Sequence, residues 1–294
     1  MKVAIFGQYY QNDTRPIIRD IFVFFNANNV EMVIEEHFLK ILYEQEIVKK
    51  KYKTFNNHKC LDASFDILVS IGGDGTILRA ATYVRNSGVP IIGINAGRLG
   101  FLAKVQKENI ETFLQLVIEK KYTISKRTLL SLSCSPENEQ INELNFAMNE
   151  VTVSRKDTTS MITIETYLND EYLNSYWADG LIISTPTGST GYSLSCGGPV
   201  LTPEVKGLVI TPIAPHNLNA RPLVIPDDTE IKLKVSGRED QYLVSLDSRI
   251  ATLDNNSILT ITKTPFQINM VEIPDETFLK TLRNKLLWGE DKRN

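Results

Sequence analysis

Gly72-Gly73-Asp74-Gly75-Thr76 carries the most pointed chemistry in the chain. Glycines without side chains let backbone N–H groups approach phosphate oxygens closely, and free amides at a helix start attract anions. A carboxylate among such amides repels phosphate unless it has a task. Two tasks fit Asp74: orienting a hydroxyl nucleophile, or helping to hold a divalent cation that the phosphates also bind. The chain contains no G-x-x-x-x-G-K-[ST] loop, so phosphate charge must be met by a metal, by backbone dipoles and by scattered Arg or Lys. Gly-Gly-Asp-Gly is also ordinary turn chemistry. By themselves the five residues leave both readings open.

A second constellation runs from Trp177 to Pro199. The apolar run Leu181–Ser184 leads into hydroxyls and glycines. These can exchange hydrogen bonds with amides, riboses or phosphates, and Tyr192 can cover an aromatic base. A small-residue helix start with Ser189 or Thr190 as N-cap is the plainer alternative. Asp179 stands at the entry to an apolar strand and requires a partner if buried. Asn149-Glu150 interrupts the apolar segment Phe146–Val153. Asn offers a donor and an acceptor to a base edge, and Glu can clasp two vicinal ribose hydroxyls. A polar pair at a strand end reads the same way. Asn95 follows a strand in a glycine-rich turn, but its G-x-x-x-G-x-x-G spacing departs from the dinucleotide fingerprint. His216 reads as a satisfied loop histidine and Cys196 as a small packed residue.

Elements must position these groups. Phe65–Ile71 is short, apolar and ends in glycines, which predicts a buried strand feeding a tight turn; Thr76–Arg85 has near-helical apolar spacing. Around them strand and helix signals alternate, and Met1–Gly7 is expected to form a first strand rather than a signal peptide. Thr14 is expected to cap a helix with Pro16 in its first turn. This alternation predicts a parallel sheet flanked by helices, with ligands beyond the carboxyl ends of its strands. After Tyr122 the pattern turns to short strands with period-two polarity: Ile162, Ile164, Thr166 and Leu168; Ile231, Leu233 and Val235; Tyr242, Val244 and Leu246; Leu259 and Ile261; Phe266, Ile268 and Met270. Such alternation predicts an antiparallel domain. Asp275 is expected to cap a final amphipathic helix carrying Phe278, Leu279, Leu282, Leu286 and Leu287. The expected domains are 1–122, joined by the helix 275–294, and 123–274.

Bulk properties narrow the classes. A chain of 294 residues suits two domains, and 42% hydrophobic with 23% charged residues is ordinary for a globular protein. A formal charge of -3 predicts no broad attraction for nucleic acid or anionic membrane, and no stretch reaches the ~20 apolar residues of a membrane span. Three scattered cysteines argue for a reducing, cytoplasmic setting without disulfides, and the three histidines show no metal-ligand spacing.

Taken together, Gly72–Thr76, Gly93–Leu102, Asn149-Glu150, Asp179–Pro199, Pro212–His216 with Arg221-Pro222, and the ending Leu282–Trp288 resemble the NAD kinase family, in order over about residues 65–288. Gly-Gly-Asp-Gly alone also resembles the phosphate loop of diacylglycerol-type lipid kinases and 6-phosphofructokinases. The family resemblance implies an α/β amino-terminal domain with a Rossmann-like parallel sheet, a β-rich carboxyl-terminal domain and an active site in the cleft between them. It implies phosphorylation of NAD on the 2′-hydroxyl of its adenosine ribose, with ATP and a divalent cation, magnesium first. By the same resemblance Asp74 is the catalytic carboxylate, Gly75 lies beside it, and Arg79 reaches the nucleotide. Asn149 and Glu150 bind adenine and ribose, and Asp179 the nicotinamide end. Thr190, Gly191, Tyr192, Ser193, Leu194 and Ser195 line the adenosine pocket with Ala214 nearby. A homo-oligomer, dimer or tetramer, is implied too. Where family members commonly have Asp, a small residue, then Gln, this chain has Asp247-Ser248-Arg249. Arginine cannot accept as Gln does, but it can pair with nucleotide phosphate.

In the implied reaction the hydroxyl attacks the terminal phosphoryl group in line with departing ADP, so positioning and charge neutralisation supply most of the acceleration. Asp74 is expected chiefly to align the hydroxyl and take its proton late. A lipid kinase sharing the loop needs an apolar groove or a basic amphipathic stretch, and no such stretch is present. A non-catalytic NAD(P)-sensing module would keep the pocket without needing Asp74.

Overall fold

The computed structural model describes residues 1–8, 11–97, 99–157, 160–217, 219–274 and 276–288. The chain divides into two compact units, residues 1–126 with 268–294, and residues 127–267.

The first unit is built on a seven-stranded sheet. In spatial order its strands are Lys53–Phe55, Glu31–Glu35, Lys2–Gly7, Ile67–Ile71, Ile91–Ile94, Ile268–Glu272 and Thr123–Arg127. The first six pair in parallel. Strands of this kind are covered on both faces and so read as unbroken apolar runs; every residue of Ile67–Ile71 is buried. Helices Gln11–Ala27, Glu36–Glu44, Asp74–Val84 and Ile110–Ile118 connect them. Ile17, Ile18, Ile21, Phe22 and Phe25 bury the apolar face of the first helix. Each such side chain contributes about 1.5–3 kcal/mol. That helix begins at Gln11, so Thr14 is a buried residue inside it rather than its cap, and Pro16 lies inside it too. Past the first turn, a proline loses one backbone bond and its ring crowds the carbonyl one turn back.

Chain connections run outward in opposite directions from Lys2–Gly7 and Ile67–Ile71, so the crevice at their carboxyl ends is the sheet's topological switch point. The Gln8 amide donates to Ile71 O across it (3.1 Å), and Thr76 Oγ1 donates to Gln8 Oε1 (3.1 Å).

Ile268–Glu272 departs from its sequence pattern. Its alternation matches the antiparallel strands before it, yet Met270 pairs with Ile91 in the parallel sheet. Period-two polarity states that a strand has two unlike faces, not which sheet receives it. The final helix, Phe278–Leu286, is capped by Thr277, whose hydroxyl accepts from the Lys280 amide (3.2 Å). Asp275, the expected cap, lies outside the described residues.

The second unit holds two antiparallel six-stranded sheets. One runs Glu171–Ala178, Ile162–Leu168, Ile231–Gly237, Ile258–Lys263, Leu130–Ser135, Phe146–Ala147; the other runs Leu223–Pro226, Gly207–Ile213, Gly180–Ser184, Glu150–Arg155, Gln241–Leu246, Arg249–Asp254. Their inner faces share one core in which Ile164, Leu233 and Ile261 of one sheet join Val153, Ile183 and Val244 of the other. The alternating apolar residues named from sequence in Ile162–Ile164, Ile231–Val235, Tyr242–Leu246 and Leu259–Ile261 therefore belong to this core, while Ile268 and Met270 do not.

Candidate active site

Asp74 is the first residue of helix Asp74–Val84, behind Gly73, an extended N-cap that makes no side-chain bond. The Thr76 amide turns back to Gly73 O (2.9 Å), and the two amides before it have no helical carbonyl to reach, which leaves the helix start suited to an anion. The Asp74 carboxylate is held from the other side. Oδ1 accepts from the amides of Leu102 (3.0 Å) and Ala103 (2.9 Å), and Oδ2 from the amide of Phe101 (2.8 Å). Three of a carboxylate's roughly four acceptor positions are filled, and one on Oδ2 is left. The loop comes this close because residue 100 is glycine: a Cβ there would stand 1.9 Å from Asp74 Oδ1. Gly75 is exposed with open space where a side chain would be, and Arg79 is exposed further along the helix.

In the second unit Met148, Asn149 and Glu150 form a strap secured on both sides. Their amides donate to Asp247: Met148 to Oδ2 (3.0 Å), Asn149 (2.8 Å) and Glu150 (3.3 Å) to Oδ1. Opposite, Thr185 N donates to Asn149 O (2.9 Å) and Thr185 Oγ1 to Met148 O (2.7 Å). A Cβ at Gly188 would lie 2.1 Å from Asn149 O, so the turn after Thr185 packs against the strap only without a side chain. The strap's backbone is thus satisfied while two side-chain atoms, Asn149 Oδ1 and Glu150 Oε2, are buried without a protein partner. Buried polar atoms of this kind require explanation, and a ligand supplies one.

Burial, and next the charge of Asp247, push the Glu150 carboxyl up to about 8, with the Tyr192 amide acting weakly against them. Burial also raises Asp247, but three amides and Arg249 oppose it there. Burial and the neighbouring carboxyl thus favour the protonated form of Glu150.

Gly191 and Tyr192 close on the same place. A Cβ at Gly191 would meet Glu150 Oε2 at 3.3 Å and Asn149 Nδ2 at 3.5 Å. Tyr192 is 46% exposed, and burial, then Cys196, Asp179 and Glu150, push its hydroxyl above the usual tyrosine range. Asp179 has the partner its position requires, Arg155 Nη1 at 3.0 Å from Oδ1. Ala214, exposed and at φ 44°, follows Ile213, whose carbonyl accepts from the Asp179 amide (3.0 Å).

Of the hydroxyls predicted for the pocket, those of Thr190 and Ser193 are engaged within the protein, as is that of neighbouring Ser189. Ser193 Oγ is buried against Thr211 Oγ1 (2.8 Å), Thr190 Oγ1 donates to Thr187 O (3.1 Å), and Ser189 Oγ donates to Pro186 O (2.7 Å). Neither Ser189 nor Thr190 is an N-cap; Gly191 precedes the one-turn helix Tyr192–Ser195 without a side-chain cap. Leu194 is half-buried and Ser195 exposed. Arg249 donates to the carbonyls of Leu144 (2.7 Å) and Phe146 rather than standing extended for a phosphate. Sequence reasoning missed Asp247 and Gly100 as shaping residues. Their only local signals were a turn Asp after an alternating strand and a glycine in an already glycine-rich turn.

No three His, Cys, Asp or Glu side chains converge on a metal position among the described residues. The donor set fits an ion that arrives with phosphate oxygens and water and takes one carboxylate position, the habit of magnesium and not of zinc. The open position on Asp74 Oδ2 has room for one such partner, a cation or a hydroxyl.

An α/β unit with a glycine loop at its switch point and a β unit with a buried Asn-Glu strap define a two-unit nucleotide-handling protein. Residues 3–122 match the model of the ATP-NAD kinase N-terminal domain, and residues 148–273 that of the ATP-NAD kinase C-terminal domain. The chain is 78% identical to an NAD kinase of Flavobacterium johnsoniae over 294 residues, and 57% identical to one of Christiangramia forsetii, covering 100% of both chains in each case. Among solved structures it resembles yeast NADH kinase complexed with NADH, with a TM-score of 0.89 at 22% identity over 99% of this chain and 88% of that one. It also resembles an Archaeoglobus fulgidus NAD kinase in complex with ATP, with a TM-score of 0.72 at 26% identity over 97% of each chain. The chain belongs to the NAD kinase family.

Proposed function

We propose that this chain transfers the terminal phosphoryl group of ATP to the 2′-hydroxyl of the adenosine ribose of NAD, giving NADP. The observation that carries this is the Asp74 carboxylate, fixed by three amides with one acceptor position left, at the start of a helix suited to phosphate. A hydroxyl hydrogen-bonded to that position is aligned without reorganisation of the carboxylate, and positioning is most of what phosphoryl transfer asks of a protein. As the hydroxyl oxygen bonds to phosphorus and the bond to ADP breaks, Asp74 takes the proton. Gly75 gives the phosphates room and Arg79 supplies positive charge.

Asn149 Oδ1 accepts from the adenine amino group, and Glu150 meets ribose hydroxyls. Gly191 and Tyr192 bound the adenosine, Asp179 meets the nicotinamide end, and Ala214 lies beside it. Thr190, Ser193, Leu194 and Ser195 hold the wall of that hollow. A magnesium ion would be held by the triphosphate oxygens and water, and would neutralise charge developing on the transferred group. The working division is a phosphate-loop domain, 1–126 with 268–294, and an NAD-binding domain, 127–267. Three free cysteines, Cys60, Cys134 and Cys196, favour the cytoplasm, and a homo-oligomer, dimer or tetramer, completes the reading.

Incubation with ATP, magnesium and NAD, followed by a dehydrogenase specific for NADP, tests it. NADP accumulating with ADP one for one is expected. ADP without NADP, or no turnover of either, overturns it.

A further inference from the structure

We infer that Arg249 is a positioning residue for the NAD-binding strap, acting through the backbone and through Asp247, and does not bind nucleotide phosphate. The inference deepens the proposed function, on which its kinetic readout rests.

Strands Gln241–Leu246 and Arg249–Asp254 pair with Leu246 opposite Arg249, leaving Asp247 and Ser248 as a two-residue turn. Asp247 sits at φ 54°, a conformation an aspartate tolerates in a turn better than most residues. Its amide donates to Glu150 O (3.0 Å), so the turn lies across the start of the strap. The same residue then returns its carboxylate, 5% exposed, to the amides of Met148, Asn149 and Glu150. A carboxyl so buried and so aimed needs a fixed turn behind it.

Arg249 fixes the turn. One guanidinium nitrogen donates to Leu144 O (2.7 Å) and the other to Phe146 O, while the cation lies 5.6 Å from the centre of the Phe146 ring. Nη2 is 3.8 Å from Asp247 Oδ2. The planar fork thereby ties the residue after the turn to the chain just before the strap, with Asp247 gripping the strap between them. A lysine cannot span two carbonyls in this way. A glutamine has one amide group and can donate to one or both only with a shorter reach. The arginine substitutes for the glutamine common at this place in the family by holding carbonyls, not by adding charge for a ligand.

The test compares wild type with R249Q, R249K and R249A. Two readouts are taken: KM for NAD and for ATP, and hydrogen exchange of the amides of Met148, Asn149 and Glu150 in the enzyme without substrates. R249A is expected to raise exchange of these amides and KM for NAD by about tenfold or more, the worth of a lost charge-assisted bond, with KM for ATP within about twofold. R249Q should restore more of both than R249K does. A KM for ATP that rises in all three variants, with exchange unchanged, overturns the inference, as does R249K outperforming R249Q. Should R249A not fold, the order of the other two decides. If wild type makes no NADP, the kinase reading fails on that arm alone, and exchange still decides whether Arg249 holds the strap.

Discussion

Asp74 fills the space that a side chain at Gly100 would occupy: a Cβ there would stand 1.9 Å from Asp74 Oδ1. The loop Phe101–Ala103 can offer its three amides only while residue 100 adds nothing. Gly100→Ala must therefore push either the loop or the carboxylate aside. We expect a displacement near 1 Å to lower kcat by roughly 100-fold with KM for NAD and ATP little changed. Overpacking should cost about 1–3 kcal/mol of stability. Steady-state kinetics and a urea titration check both; undiminished kcat in a folded variant means the nest does not set Asp74.

Asp74→Asn is less conservative than it looks. Both oxygens accept amide hydrogens, so the new NH2 group must face a donor on one side or leave its position. The variant should lose most turnover and also about 1–3 kcal/mol, the cost of a buried donor left unpaired, while NAD still binds. Calorimetric titration with NAD alongside kinetics separates the two losses. Near-wild-type turnover removes Asp74 from the mechanism.

Much of this was legible because it is local. The glycine loop at a strand end, the alternating faces of Ile162–Thr166 and Ile231–Val235, and the polar pair inside Phe146–Val153 are patterns a chain displays within ten residues. What fixes the site is not local. Asp247 lies 98 residues from the Asn149 amide it receives, and the Asp74 carboxylate meets a loop 27 to 29 residues on. A turn aspartate that reaches its own backbone and one that reaches a distant strap have the same sequence signature. Ser193 shows the converse: a hydroxyl whose partner, Thr211 Oγ1, lies 18 residues on and so leaves no mark in the local sequence.

Ser193→Ala should accordingly change stability more than binding. Removing one partner of a buried hydroxyl pair costs about 1 kcal/mol and leaves Thr211 short of a bond. KM for NAD should stay within about twofold, because the lost atom faces inward. A KM rising tenfold at unchanged Tm would return Ser193 to the list of ligand-binding groups.

Lys104 follows the Asp74 loop directly and is 9% exposed, with Nζ 3.2 Å from Glu272 Oε1 and 3.3 Å from Glu276 O. Phe101 in the same loop packs on Phe278 of the final helix at 6.2 Å between ring centres, and Lys285 lies over it. The carboxyl-terminal segment thus braces the loop that braces Asp74. Glu272→Ala takes away the charge partner of Lys104, which keeps its bond to Glu276 O, and should cost about 1–3 kcal/mol, with kcat falling as the loop loosens. The double variant K104M/E272M removes both charges and should be the more stable of the two. Chemical denaturation of the pair tests this; equal losses would mean the ion pair is not the brace.

Glu150 gives the pH dependence its sign. Its carboxyl ordinarily titrates near 4.5 and is pushed to about 8 in the fold, first by burial and then by Asp247. Between those values the folded protein holds a proton that the unfolded chain has released, so stability is full below 4.5 and falls as pH rises toward 8. The total loss is on the order of a few kcal/mol. Glu150→Gln has no proton to lose. Asp247 and other groups titrate in both proteins, so the difference between their unfolding free energies reports Glu150 together with its coupling to Asp247. That difference should move in favour of the variant from pH 5 to pH 8 and level off beyond it. Parallel stability curves across the window would place Glu150 in water rather than in the hollow behind Gly191, and its free Oε2 would need no ligand.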